Sequence, residues 1–333
     1  LKWNELNTPL RRNVTIDDGN NGRDYNIALV NSTNSIISKA PLTVAAANDA
    51  KFVTTNDSAN YSGLIINGFV GGETISDLSG SGVITRTNAS VNSAGTYTGV
   101  LQPSGFSSAN YNISYVNGNY VIVPAQTLLV RVDPATSIYG GTANYSVSAA
   151  YMPASSCTSN CSPVSLTPVV NNSLVTINDG AGSSASFNLS TVNSLLSSSG
   201  NLRTGGYNLV NTNTTLTGNN FLGLQVVGAL TVLPKPIVAG NLGVSGLTKV
   251  YDGNSSISGL TLNVNSANSQ IITNDQISVS ATGTFANIDV GVNKSISVNV
   301  DLSGVDAGNY SLTNRQLTGN LGTITQLASV TWV

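Results

Sequence analysis

A short unit built around a tyrosine recurs four times along the chain at wide and nearly regular spacing. Each copy places Asn, Gly or Asp before the tyrosine, a polar residue after it and then an aliphatic residue; the tyrosines are Tyr25, Tyr111, Tyr207 and Tyr310. They lie 86, 96 and 103 residues apart. Repeats of about 20–50 residues build solenoids, whereas units of this greater length can each fold around a core of their own. The spacing therefore predicts small domains in tandem.

A second motif, called the opening motif below, marks the opposite end of each repeat from the tyrosine unit, which is called the end motif. Residues 248–251 alternate polar with β-branched or aromatic side chains, which is typical of a half-buried strand, and Asp252-Gly253 then favours a tight reversal. The motif recurs as Thr136-Ser137-Ile138-Tyr139-Gly140 and, more weakly, as Ala50-Lys51-Phe52-Val53. We interpret Tyr139, Tyr251, Asp252 and Gly253, like the four tyrosines of the first motif, as structural residues that build the repeat.

The composition favours strands throughout. Charged residues make up only 8% of the 333 residues, hydrophobic residues make up 40%, and the net charge is −2. The abundant Val, Ile, Thr and Tyr favour strands, while the shortage of Glu, Lys, Gln and Met argues against helices. Residues 115–123 predict a hairpin around Asn117-Gly118. We expect an all-β chain of small modules, sandwich-like or grasp-like, that form an elongated row stiffened by prolines at the junctions.

The repeats and junctions divide the chain into five segments. Residues 1–39 are interpreted as the C-terminal part of a module whose first half is missing from the sequence. Three complete β modules are expected at 40–124, at 125–233 with insertions, and at 234–326. Residues 327–333 are expected to be the first strand of a further module.

Several classes of function are excluded or disfavoured. The chain contains no histidine, which removes the commonest general base, the commonest metal ligand and every Ser-His pair. The 13 basic residues do not cluster, so nucleic acid is not an expected partner. No apolar run is long enough to cross a bilayer. The aspartates, scattered among turn residues, are interpreted as structural. We expect a monomer with no catalytic, cofactor or metal site, and not an enzyme.

Two kinds of covalent cross-link are considered from the residues, a disulfide and an isopeptide bond. Cys157 and Cys161 lie in a Ser/Asn/Pro-rich loop without the further ligands that zinc needs or the CxxC spacing of a redox motif. A small disulfide, and with it an oxidising compartment, is our interpretation; two free thiols are the alternative. A Lys–Asn isopeptide bond requires a buried lysine beside an acid, and the lysines inside the modules that qualify by position are Lys51, Lys249 and Lys294.

These motifs resemble a known family of repeats. Residues 249–253, with Asp289-Val290-Gly291 and the segment 306–312, resemble the YDG repeat of bacterial surface exoproteins. The module at 40–124 is similar to the related MBG repeat through its segments 93–97 and 108–113, and the module at 125–233 looks like a divergent copy. The resemblance to filamentous-haemagglutinin-like, two-partner-secreted adhesins implies an extracellular location on the bacterial surface and an outer-membrane secretion partner. It brings no catalytic or ligand-binding residues.

Two functions follow as hypotheses. In the first, the chain is the stalk of an adhesin and holds an adhesive domain away from the cell. In the second, loops of the 125–233 module, which carries the insertion around Cys157 and Cys161, bind a host-cell glycan or protein.

Overall fold

The computed structural model describes residues 37–153, 162–242, 244–245, 247–264 and 270–328. By its internal contacts the chain separates between Lys39 and Ala40 into two compact units, and the second contains the strands and modules that follow. Its described residues form strands joined by turns and three short 3-10 turns, at Ile75–Asp77, Ala239–Asn241 and Ala307–Asn309. The expected all-β class with small sheets in tandem is confirmed.

The first module consists of seven strands in two sheets, with strand orders β3-β1-β6 and β2-β7-β5-β4. The strands are β1 (Ala40–Ala46), β2 (Asp49–Phe52), β3 (Leu64–Asn67), β4 (Ser79–Arg86), β5 (Gly95–Ser107), β6 (Tyr111–Val116) and β7 (Gly118–Val123).

The described residues of the second module form ten strands, in sheets ordered β11-β10-β8-β16 and β12-β13-β14-β15-β17-β9. The strands are β8 (Thr127–Val132), β9 (Ala135–Ile138), β10 (Val147–Tyr151), β11 (Val164–Leu166), β12 (Val169–Asn171), β13 (Leu174–Asn178), β14 (Ser184–Thr191), β15 (Gly205–Thr217), β16 (Gly223–Val227) and β17 (Ala229–Leu233).

Within the part of the third module that the structure describes there are eight strands, in a two-stranded sheet β18-β24 and a six-stranded sheet β19-β21-β22-β23-β25-β20. The strands are β18 (Lys235–Val238), β19 (Val244–Ser245), β20 (Leu247–Val250), β21 (Ser256–Val264), β22 (Ser278–Phe285), β23 (Gly291–Ser303), β24 (Tyr310–Asn314) and β25 (Gln316–Thr325).

One plan of pairing is common to the three modules. The first strand of each pairs in parallel with the penultimate strand, as β1 with β6, β8 with β16 and β18 with β24. The strand that carries the opening motif pairs in parallel with the final strand, as β2 with β7, β9 with β17 and β20 with β25. Parallel neighbours need crossover connections, so each module is closed by contacts between its two ends.

The predicted hairpin at Asn117-Gly118 is wrong. β6 and β7 do not pair with each other; β6 adds to the sheet of β1, and β7 lies between β2 and β5 in the other sheet. A two-residue hairpin of this type needs positive φ at both central residues, and neither Asn117 nor Gly118 has one. Glycine is required at 118 for another reason: a Cβ there would lie 2.5 Å from the carbonyl oxygen of Ala46.

The hydrophobic cores are formed by alternate residues of the strands, whose side chains point inward. In β14, for example, Ala185, Phe187 and Leu189 point inward and are buried, while the residues between them are partly exposed. Burying a side chain such as Phe187 stabilises the fold by about 1.5–3 kcal/mol. One continuous cluster of buried residues extends from β8 of the second module to β25 of the third, and a smaller one joins Phe52 and Val123 to Leu129 and Val227 of the second module.

Candidate functional site: the module ends and the contacts between modules

The opening motifs occupy one structural position in the three modules. Val53, Tyr139 and Tyr251 each follow the motif strand by one residue. The N–H of each donates to the carbonyl of the last residue of its module's final strand, over 2.9–3.3 Å, namely Val123, Leu233 and Thr325 respectively. The side chains differ: Tyr139 is buried, whereas Tyr251 is 37% exposed. The motif therefore fixes a backbone junction, and its tyrosine is available for other contacts.

Asp252 and Gly253 form the turn after the third motif. The carboxylate of Asp252 accepts the N–H of Asn254 at 3.1 Å and lies 2.7 Å from the ammonium of Lys249. These contacts lower the pKa of Asp252 below its ordinary value, with the Lys249 hydrogen bond as the larger cause. Gly253 has φ of +80°, a left-handed conformation that glycine adopts without strain. Both residues therefore stabilise a local turn of the backbone at the surface.

Tyr111 and Tyr310 begin β6 and β24 and hold equivalent loops. The hydroxyl of Tyr111 accepts the N–H of Val70 at 3.1 Å and donates to Glu73. The hydroxyl of Tyr310 accepts the N–H of Ile272 at 2.9 Å and donates to Asp275. In both cases the acid lies three residues after the N–H donor. Burial, together with these carboxylates, raises the pKa of both tyrosines, so they remain protonated donors.

Tyr207 does not share this position. It lies in β15 opposite Leu230 of the final strand, as Tyr97 of β5 lies opposite Tyr120. Its hydroxyl donates to the carbonyl of Arg203 at 2.8 Å. In the second module the aromatic residue that precedes the penultimate strand is Phe221, which is buried against the ring of Tyr151.

The interface between the first and second modules combines apolar packing with close polar contacts. The guanidinium of Arg131 pairs with the buried carboxylate of Asp49 at 2.5 Å. Burial raises the pKa of Asp49, and the charge of Arg131 opposes that rise. Asn67 and Gly206 bond reciprocally, since the N–H of Gly206 donates to the Asn67 side chain at 2.6 Å and the amide of Asn67 donates back at 3.3 Å. A methyl group on Gly206 would lie 2.8 Å from Ile65, so glycine permits this approach.

The interface between the second and third modules centres on two aspartates. Tyr139 donates to Asp275 at 2.7 Å, so this carboxylate accepts hydroxyls from both modules. Asp306 is fully buried and pairs with Arg203 at 3.1 Å. Burial raises the pKa of Asp306, but the N–H groups of Gln276 and Ser198 and the Arg203 charge outweigh it and leave the pKa below its ordinary value. The carboxylate is therefore held ionised between modules.

A crevice of about 470 Å³ opens where the three modules meet. Its wall is mainly apolar and includes Ile66 and Phe69 of the first module, Leu233 of the second, and Tyr310 and Leu312 of the third. Asp301 and Arg315, which form an ion pair, also line it. Its size is within the range of small-ligand sites.

The sequence did not single out the acids that the tyrosines bind. Glu73 and Asp275 lie 38 and 35 residues before their tyrosines, and each is preceded three residues earlier by an aliphatic residue, Val70 or Ile272. That shared pattern is the signal that could have identified them. Tyr25, Cys157 and Cys161 lie outside the described residues, so the interpretation of the cysteines as a disulfide stays a prediction.

Two further features, a cluster of metal ligands and a membrane-spanning helix, are absent from the described part of the chain. No group of three or more possible metal ligands occurs there. Nor does any helix in the same residues have the length and apolar character needed to cross a membrane.

Comparison with protein families identifies two of the three modules. Residues 42–121 match the MBG domain (YGX type), and residues 234–318 match the YDG domain. The chain contains an MBG domain and a YDG domain. The MBG domain thus covers strands from β1 to β7, and the YDG domain those from β18 into β25. No curated protein and no solved structure matches the chain.

Proposed function

We propose that this chain is a structural segment of an extracellular bacterial surface adhesin, in which MBG and YDG modules act as a spacer that projects an adhesive domain from the cell. The observation that carries the proposal is the position of the buried ion pairs. Asp49 pairs with Arg131, and Asp306 pairs with Arg203. Both pairs lie between modules rather than in an open cleft. The apolar clusters that cross both module boundaries, together with these ion pairs, resist relative motion of neighbouring modules, which a spacer requires.

The pairing of the other carboxylates argues against enzymatic activity. Catalytic carboxylates need an open approach for substrate and, in the usual case, a partner of matched pKa. Asp57, Asp252 and Asp301 are each paired with a lysine or an arginine, and Asp275 is held by two tyrosines. The chain's lack of histidine points the same way.

The surface location and the secretion route are part of the proposal. They rest on the resemblance of the motifs to repeats of two-partner-secreted adhesins, which would add an outer-membrane secretion partner.

A second candidate is a binding module, and the crevice is the observation that favours it. The crevice is lined by the ring of Phe69 and by the charged groups of Asp301 and Arg315, a combination that would suit a host glycan, whose sugar rings present an apolar face and hydroxyl groups. The second module supplies part of this wall. Its loop at 154–161, the other candidate for recognition, lies outside the described residues.

A binding assay on the whole chain distinguishes the two functions. The spacer function predicts no saturable binding to a glycan array or to host cells. Saturable binding that Phe69→Arg abolishes would establish the crevice as a receptor site, and binding that deletion of residues 153–163 abolishes would establish the loop. Val169→Arg is the matched control, because Val169 is exposed and does not line the crevice.

A further inference from the structure

A buried lysine in the first module lies against an asparagine and an aspartate. The ammonium of Lys51, in β2, is 2.6 Å from the side-chain oxygen of Asn92 and 3.0 Å from the carboxylate of Asp57. Lys51 is only 4% exposed and is the one buried lysine among the described residues. Asn92 lies 41 residues further along, in the loop between β4 and β5. The fold has therefore brought a buried amine into contact with the carboxamide of an exposed residue at the surface of the module.

The loop that carries Asn92 is fixed in place. Arg86, whose side chain is fully buried, donates to the carbonyls of Ala89 and Val91, next to the asparagine. The same guanidinium bonds to Asp57 at 2.8 Å and lies over the ring of Tyr120. Reacting groups held at contact distance gain a large advantage over groups that must meet by diffusion. Arg86 thus holds the carboxamide against the amine.

The charge balance of this cluster is unfavourable as it stands. Asp57 is a single carboxylate that faces two cations, Lys51 and Arg86. One positive charge is in excess where water has little access, and such a charge is costly to bury. Arginine does not lose its proton in proteins. Conversion of the lysine into an amide would remove the excess charge.

We propose that Lys51 and Asn92 condense to form an intramolecular isopeptide bond. Nζ of Lys51 attacks Cγ of Asn92; the Nζ–Cγ bond forms and the Cγ–Nδ2 bond breaks. Asp57 takes a proton from Nζ and passes it to Nδ2, which leaves as ammonia. Starting from the ammonium form, the extra proton leaves with it as an ammonium ion. No oxidant or reductant takes part. The bond closes the chain between residues 51 and 92, which restricts the unfolded state.

Two other lysine–asparagine contacts provide comparisons within the same chain. Lys249 lies 3.1 Å from the side-chain oxygen of Asn254, but its acid, Asp252, is 48% exposed. Lys294 contacts Asn287, and no ion pair to Lys294 occurs among the described residues. Asn92 and Asn287 are both exposed, so the difference lies in the lysines: Lys51 is buried, whereas Lys249 and Lys294 are not. We therefore expect Lys249 and Lys294 to remain unmodified.

Mass spectrometry of the whole chain tests the proposal. The intact mass is expected to fall below the sequence mass by one ammonia. Trypsin should then fail to cleave after Lys51 and should release residues 40–86 linked to residues 87–131. The linked peptide distinguishes the isopeptide from a succinimide at an asparagine, which also loses ammonia. A full sequence mass, with residues 40–51 and 87–131 recovered as separate peptides, would overturn the proposal.

Variants separate the roles of the three residues. Lys51→Arg and Asn92→Ala should each abolish the linked peptide, and Asn92→Asp should form the same link with loss of water in place of ammonia. Asp57→Asn should leave most of the chain unlinked. Persistence of the link in Asn92→Ala would assign it to another acceptor and refute the proposal even if Lys51→Arg failed to fold. Lys294→Arg is the control and should retain the link.

Discussion

The hydroxyl of Tyr139 donates a hydrogen bond over 2.7 Å to the carboxylate of Asp275, which lies 136 residues further along the chain. Tyr139 belongs to the opening motif of the second module, and Asp275 lies in the loop that Tyr310 of the third module holds. The rings of the two tyrosines meet edge to face at 5.4 Å. One carboxylate thus joins the start of one repeat to the end of the next.

Removal of this hydroxyl should weaken the contact between modules. Tyr139→Phe leaves the ring in place but deprives Asp275 and Ser197 of a buried partner. We expect the free energy of unfolding to fall by about 1–3 kcal/mol, as for a buried hydrogen bond to a charged group. Urea unfolding measures the change. Tyr145→Phe is the control, because the hydroxyl of Tyr145 makes no hydrogen bond within the described residues; an equal loss in both variants would contradict the assignment.

Stability should fall at alkaline pH. Burial raises the pKa of Tyr139 and Tyr310 above the ordinary value of 10.0, and the nearby Asp275 raises it further. Above pH 10 the unfolded chain loses these protons while the folded chain keeps them, so the free energy of unfolding decreases as pH rises. Tyr310→Phe should make this decrease shallower. Val298→Ala, a core change that removes no tyrosine, should lower stability without altering the slope.

Acid should release the third module from the second. The pKa of Asp306 lies below its ordinary value of 3.8 in the folded chain, so its contribution is present above that pH and is lost as pH falls through the folded pKa. Asp306→Asn should therefore be destabilising at neutral pH, and its difference from the natural chain should shrink toward pH 3. Thermal unfolding across this range gives the measurement. Asp289→Asn, at an exposed position, should change stability by less than about 0.5 kcal/mol at every pH.

The interface between the first and second modules should be sensitive to a single methyl group. Gly206→Ala places a Cβ 2.8 Å from Ile65, so the two modules must separate or the strands must shift. We expect a loss of about 1–3 kcal/mol, as for overpacking of a core. Gly240→Ala has nothing within 4 Å of the new atom and should fold as the natural chain does. Unchanged melting of Gly206→Ala would show that the interface is not close-packed.

Much of the strand content could be predicted because it depends on local pattern. The alternation at 294–300 and 95–100 lies within β23 and β5, and the opening motifs lie at one backbone position in each module. The pairing register between strands that are distant in the sequence does not depend on local pattern. The Gly-Tyr-Asn-Leu segment at Tyr207 fits the residue pattern of the end motif, yet its pairing with β17 places it one strand earlier in the module.

The side-chain contacts between residues distant in the sequence, both between modules and within one, could not be predicted from the sequence. Arg131 and Asp49 are 82 residues apart, and Lys51 and Asn92 are separated by 41. Neither pair has a fixed spacing that a motif could reveal, because the partners meet only after strands from both ends of a module have paired. Asn117-Gly118 shows the reverse case, in which a strong turn signal reflects a need for close approach at Gly118.

The spacer function is tested most directly by replacement of the segment in the surface protein that carries it. Residues 40–326 would be exchanged for unrelated β modules of equal number and length, and in a second strain they would be deleted. Adhesion of whole cells to host cells is then measured, with surface display verified in both strains. A spacer function predicts that the exchange retains adhesion and that the deletion reduces it. Loss of adhesion in the exchanged strain, with display intact, would contradict a spacer and assign recognition to these residues.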